Sequence, residues 1–243
     1  MYKITISLIL AINFLFVSCS PQPSTLVKGS GKVTTETRPL SSFHGVELGL
    51  PGDLEITIGS EESITIEAEE NIIRLIETKV SGGILKVGLI PGASIQPTKP
   101  IKFLLTAKAL DRLETNSLGS ITAPALNSDD FKALINSSGN IELAGLQSNS
   151  LTVEIQSIGK VKIEGGAVTD QTVTISSAGG YTSPDLKSRN AKVRVESSGD
   201  AVIWVTDSLD VVINSSGSVG YYGSPKVKSE INSSGTVQPL GEK

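Results

Sequence analysis

The stretch INSSGSV, from Ile213 to Val219, has near copies in INSSGTV from Ile231 and INSSGNI from Ile135 to Ile141. A catalytic motif is normally written once. An Asn-Ser-Ser-Gly corner written again and again between β-branched residues points to a repeating architecture. Alignment on the glycine extends the set to Gly119, Gly139, Gly159, Gly179, Gly199, Gly217 and Gly235, spaced by 20, 20, 20, 20, 18 and 18 residues. Self-similarity at this period is the mark of a solenoid, whose units bury their apolar faces only by stacking.

The apolar period decides between helices and strands. Four places before the glycine stand Thr115, Ile135, Ile155, Ile175, Val195, Ile213 and Ile231. Two places after it stand Ile121, Ile141, Val161, Tyr181, Ala201, Val219 and Val237. The residues are β-branched and the spacing is two, so these segments are strands. The Leu/Asn signature of a leucine-rich repeat is absent. The expected fold is therefore all-β, a parallel β-helix of about seven 18–20-residue coils with a strand-rich N-terminal segment. Strands about 4.8 Å apart would make a rod on the order of 30 Å long, with ends that need capping.

Within each corner, Ser117, Ser137, Ser157, Ser177, Ser197, Ser215 and Ser233 lie two places before the glycine. Strand parity puts them on the same side as the preceding Ile or Val. They are predicted to form a buried hydroxyl ladder, because an unpaired buried hydroxyl costs about 1–3 kcal/mol. The glycine is predicted to mark the bend. Asn116, Asn136, Gln156, Ser176, Glu196, Asn214 and Asn232 read outward, as a polar ladder that holds register or as a surface for sugar hydroxyls.

Upstream, FHGVELGLPGDLEITI keeps the pattern and reads as one more coil. Residues 41–107 are expected to be a strand-rich part capping the repeat body of 108–243. Near the N-terminus stand Lys3, an apolar run from Ile4 to Val17, then Ser18 and Cys19. This is a secretory leader, too short for a confident spanning helix. Residues 1–18 are expected to be a signal peptide that looks like those of bacterial lipoproteins, with Cys19 as the lipidation site. Phe16 departs from the usual Leu three places before the cysteine. No Asp follows Cys19, which favours the outer membrane or cell surface after secretion across the inner membrane. Residues 19–40 read as a flexible tether.

Composition removes several classes. The net charge is −4 and the sequence holds no Lys/Arg run, so no nucleic-acid partner is expected. One histidine, His44, and one cysteine leave no set for a His/Cys metal site or a His-based triad. No metal, cofactor or catalytic residue is expected. Glu61, Glu62, Glu67, Glu69 and Glu70 read as a solvated acidic face. Trp204 and Tyr222 each stand five places after a repeat glycine, outward and one coil apart. They are the candidate binding platform for a sugar or a protein.

A run of SSG-type corners behind that opening, ending in YYGSP (Tyr221–Pro225) and a last SSG, resembles one known family. This is the "Putative auto-transporter adhesin, head GIN domain" family, and the similarity covers roughly Ser41 to Val237. The resemblance implies a β-helical, secreted or envelope-anchored protein with a role in adhesion. It supplies no catalytic positions. The expectation is a non-enzymatic, lipid-anchored envelope scaffold or adhesin-like module that binds a glycan or a protein. Two alternatives stand beside it. One is a polysaccharide-processing enzyme, marked by an outer cleft with two or more carboxylates beside an Arg or Lys. The other is a structural protein that self-associates as a homo-oligomer.

Overall fold

Alternating β-branched and polar residues leave little from which a helix could form. The computed structural model describes residues 25–243, and it is 67% strand with almost no helix. Cys19 and the expected leader lie outside the described residues. The N-terminal part runs β1 (Thr25–Lys28), β2 (Val33–Pro39), β3 (Gly45–Leu48), β4 (Asp53–Ile58), β5 (Ser63–Glu69), α1 (Glu70–Ile73), β6 (Ile76–Ser81), β7 (Ile84–Leu89), β8 (Ala93–Gln96) and β9 (Lys102–Ala107). The repeat body runs β10 (Arg112–Thr115), β11 (Ser120–Ile135), β12 (Asn140–Ile155), β13 (Lys160–Ile163), β14 (Gly166–Ile175), β15 (Gly180–Val195), β16 (Asp200–Ile213), β17 (Ser218–Tyr222), β18 (Lys226–Ile231) and β19 (Thr236–Gly241).

Every pairing in the body is parallel and joins one coil to the next. Ser120 pairs Asn140, Ile135 pairs Ile155, and Ile155 pairs Ile175. The fold is a β-solenoid of about six turns, bounded by the seven glycine corners. Between β11 and β12 the ladder skips Pro124 and Asp129, so each 20-residue coil has three straight sides. Inward positions are fully covered: Ile135, Ile155, Ile175, Val195 and Ile213 are at 0% exposure. Burying each such side chain contributes about 1.5–3 kcal/mol.

The expected extra coil exists. β3 and β4 lie against β10 and β11 in parallel, with Val46 opposite Leu113 and Leu54 opposite Ile121. β7 and β9 continue the stack beneath them. Antiparallel strands then close the end: β5 on β9, β6 on β7 and β2 on β5. This arrangement covers the first apolar layer of the stack.

Two expectations about the N-terminal part are corrected. The tether predicted over residues 19–40 is built into the body from residue 25 on: β1 pairs β8, and β2 pairs β5 from Val33 opposite Glu69 to Pro39 opposite Ser63. The polar text VTTETRP is that of a solvent-facing edge strand, whose hold on the body is main-chain pairing rather than burial. Arg38 adds a tie, with Nη1 donating to Ile76 O at 2.8 Å. The acidic face is also not uniform, because Glu69 is 1% exposed. Its carboxylate accepts from Gly31 N at 2.6 Å, Thr98 Oγ1 at 2.6 Å, Thr98 N at 2.8 Å and Lys99 N at 3.3 Å. These donors, the Thr98 hydroxyl first, hold its pKa down to about 2.

The corner also departs from expectation. Strand parity stops at the Ile or Val, and the following residues turn as bends. Six of the seven ladder serines are half-buried, from Ser117 to Ser215, and Ser233 is exposed. The glycines take the interior position instead: Gly119 through Gly217 are buried. A Cβ on Gly199 would overlap Ile175 Cγ2 and lie 2.8 Å from Gly179 O. None of the seven has a positive φ, so each is glycine for space rather than for backbone freedom. The close approach lets the next residue bond across coils, as in Asp200 N to Gly179 O at 3.2 Å and Thr236 N to Gly217 O at 3.0 Å. A buried glycine column, not a serine ladder, threads the corner.

Candidate functional site

The change of period from 20 to 18 residues falls within the pairing of β15 with β16. Ser183 pairs Ile203, but the next pair is Lys187 with Trp204, so three residues of β15 are skipped. The skipped Asp185 forms an ion pair with Lys243. The shortened side brings three outward residues into line. Trp204 pairs Lys187 on one side and Tyr222 on the other. Lys187 Nζ sits 5.6 Å from the Trp204 ring centroid, and Lys243 Nζ sits 4.9 Å from that of Tyr222. Each half-buried ring therefore has a cation against it. The two aromatics that the sequence placed one coil apart are brought together. Their cationic partners were not foreseen, since glycine counting puts Pro184, not Lys187, beside Trp204.

Behind this surface lies a buried polar network that the sequence reading missed. Tyr181 Oη donates to Gln171 Oε1 at 3.2 Å, and Gln171 Nε2 donates to Ser188 Oγ at 2.6 Å. The Ser188 hydroxyl donates to Trp204 O at 2.8 Å. Burial pushes the Tyr181 phenol well above its ordinary pKa, so it stays a neutral donor. A signal for it existed. Gln171 occupies an inward column otherwise made of Phe131, Leu151, Ala191 and Leu209.

The outward amides form ladders in two places. Asn136 Nδ2 donates to Asn116 Oδ1 at 2.6 Å, and Asn116 Nδ2 to Glu47 Oε1 at 3.0 Å. Asn232 Nδ2 donates to Asn214 Oδ1 at 2.8 Å, and Asn214 Nδ2 to Glu196 Oε2 at 2.5 Å. The Asn214 amide and then Arg194 hold the Glu196 carboxyl below its usual range. These amides are engaged along the stack, which fits the register role.

A hollow of about 300 Å³ at the first coils gathers His44, Ile84, Asp111, Arg112, Asp130 and Lys132. His44 Nδ1 lies 2.9 Å from Asp111 Oδ1. Two carboxylates beside an Arg and a Lys are the feature expected of a polysaccharide-processing cleft. Arg112 Nη2 donates to Glu114 Oε2 at 2.5 Å, while its buried Nε has no partner among the described residues. Among the described residues no three His, Cys, Asp or Glu side chains gather as metal ligands. No described helix is long and apolar enough to cross a membrane.

The family profile "Putative auto-transporter adhesin, head GIN domain" matches residues 42–225. Among solved structures, a "putative adhesin" from Bacteroides fragilis NCTC 9343 superposes with a TM-score of 0.78 at 21% identity, covering 89% of this chain and 100% of its own. A "putative lipid binding protein" from Parabacteroides distasonis ATCC 8503 gives 0.74 at 22% identity, with 89% and 100% covered. A "putative adhesin" from Parabacteroides merdae ATCC 43184 gives 0.64 at 20% identity, with 88% and 99% covered. At these identities the likeness is one of fold. Comparison with curated proteins gives no match.

Proposed function

Since the chain belongs to the "Putative auto-transporter adhesin, head GIN domain" family, we propose that it is a non-enzymatic envelope protein that binds a glycan at Trp204 and Tyr222. The observation that carries this reading is the pairing of those two rings on adjacent coils, each with a lysine against it. Flat apolar rings stack on the C–H faces of a pyranose, and the two lysines supply donors for its hydroxyls. The buried network fixes the Trp204 backbone from inside, which supports a preorganised surface. Lipidation of Cys19 would hold the body at the membrane by burying acyl methylenes, about 0.8 kcal/mol each.

Trp204 is the only tryptophan in the chain, so its emission reports on the site directly. Soluble protein from residue 25 on, screened on a glycan array and titrated with the hits, should change Trp204 fluorescence. Joint Trp204→Ala and Tyr222→Ala substitution should remove binding without changing the circular dichroism spectrum. Unchanged binding by that variant would exclude the platform. Membrane attachment is tested separately: Cys19→Ser should move the protein from the membrane fraction to the soluble one.

The cleft at His44 supports a second reading, polysaccharide processing, because it meets the compositional criterion for that chemistry. Release of new reducing ends or unsaturated products from a polysaccharide panel, lost on Asp130→Asn, would establish it. A panel with no turnover leaves the binding reading alone.

A further inference from the structure

Trp204 and Tyr222 are the end of a longer line. Following the ladder residue by residue, Tyr222 pairs Trp204, Trp204 pairs Lys187, Lys187 pairs Ala167, Ala167 pairs Gln147, and Gln147 pairs Asn127. All six sit on the same side of consecutive coils. None of the six side chains is buried, while their strand neighbours Leu126, Leu146 and Leu186 are. Five steps of about 4.8 Å make the line roughly 24 Å long.

Four of the six, Asn127, Gln147, Ala167 and Lys187, line two adjoining hollows. One, of about 550 Å³, is walled by Asn127, Asp129, Gln147 and Asn149. The second, of about 280 Å³, is walled by Ala167, Thr169, Lys187 and Arg189. The two share Gln147 and Ser148, and the second ends at Lys187, where the Trp204 ring begins. Ala167 at the centre leaves the floor low. Amides and hydroxyls line one end and flat rings the other.

We infer that this face is an axial groove for a linear, neutral glycan, which lies parallel to the solenoid axis from Asn127 to Tyr222. The inference rests on the platform reading and extends it from a two-ring patch to a multi-residue site. A straight column with one contact per coil matches an extended chain that presents one ring at a time. A branched or compact ligand would use only part of it. The charges argue for a neutral chain. Lys187 and Lys243 lie against the rings, Lys243 also pairs with Asp185, and Arg189 Nε pairs with Asp207 Oδ2 at 3.0 Å. Asp129 lines the far end of the hollow, in the column that leads to Arg189. No surplus positive charge remains to call for an acidic polymer.

The test is chain-length dependence. Linear β-1,4-linked oligomers of glucose and of N-acetylglucosamine, with two, four and six units, are titrated against protein from residue 25 on by calorimetry. Affinity should rise with length in at least one series. Gln147→Ala and Asn127→Ala, both at exposed positions, should weaken six-unit binding by about two- to tenfold each, the worth of one or two hydrogen bonds, and leave two-unit binding unchanged. Trp204→Ala should weaken both lengths, and Trp204→Phe should restore part of the loss. Length-independent affinity, or loss with Trp204→Ala but none with Gln147→Ala, would overturn the groove and leave the platform standing. No binding by any oligomer would overturn the groove for this class, and a glycan array equally silent would overturn the platform as well.

Discussion

At Gly159 the backbone passes under Gly139 O and Ile135 Cγ2 with no room for a methyl group. Gly159→Ala must therefore push two coils apart, at a cost of about 1–3 kcal/mol, the usual range for overpacking. In a chain of this size that is about 2–4 °C of Tm per kcal/mol. Ser157, half-buried two places earlier, should tolerate alanine within about 0.5 kcal/mol. Thermal melts of the pair separate a glycine column from a serine ladder, which predicts the reverse order. Glu69 makes a different kind of residue-scale prediction. Its folded pKa is about 2 against an ordinary 4.5, so the ionised form is the one that the fold favours. That stability is present above about pH 4.5 and is lost as pH falls towards about 2. Glu69→Gln should flatten the slope of Tm against pH across this window, and an unchanged slope would mean that the four donors do not discriminate the charge. The glycine period was fully legible in the sequence. The inward residue at the corner was not, because parity counting assumes that the strand continues, and here it ends two residues before the serine.

The element that matters most for the site is the irregular join between β15 and β16. Skipping three residues there shortens the coil, and beside the join Ser188 and Gln171 are polar groups buried in an apolar stack. The Tyr181–Gln171–Ser188–Trp204 network answers that problem by pairing each of them. Gln171→Leu should cost about 1–3 kcal/mol, because it strands the partners rather than because of any lost contact of its own. Adding Tyr181→Phe should restore part of this loss, a non-additivity that a double-mutant cycle measures. The same Gln171→Leu variant should shift Trp204 emission, since Ser188 anchors the Trp204 carbonyl. A purely local packing role would leave the emission maximum in place. The platform was half legible: position counting found Trp204 and Tyr222 but assumed a constant coil length above them, and so missed Lys187. The network was visible only as one glutamine in a column of apolar residues. That is a weak mark until the coils are stacked.

In a stack of coils each unit leans only on its neighbours, so stability should vary along the axis with the quality of the two ends. The ends differ. At the N-terminal end β2, β5 and β6 close the stack with antiparallel strands, and Glu69 locks Gly31 and the Thr98 loop to that cap. At the other end, among the described residues, β18 and β19 each pair only with the coil before them. All six residues of β18 are exposed, and Val227 and Ile231, which continue the inward columns of Leu209 and Ile213, are about 40% exposed. Amide hydrogen exchange should therefore be slowest in β11 and β12 and fastest in β18 and β19, with a gradient through β15 and β16 rather than one cooperative block. The gradient also decides between a free end and a covered one. A parallel edge with open inward columns is a template for another chain. If β18 and β19 prove as protected as β12 at high protein concentration and lose that protection on dilution, the end is covered by a second copy, and size-exclusion across the same dilution should show the dimer dissociate. If they exchange fast at every concentration, the last coil frays as a free end, and self-association through it is excluded.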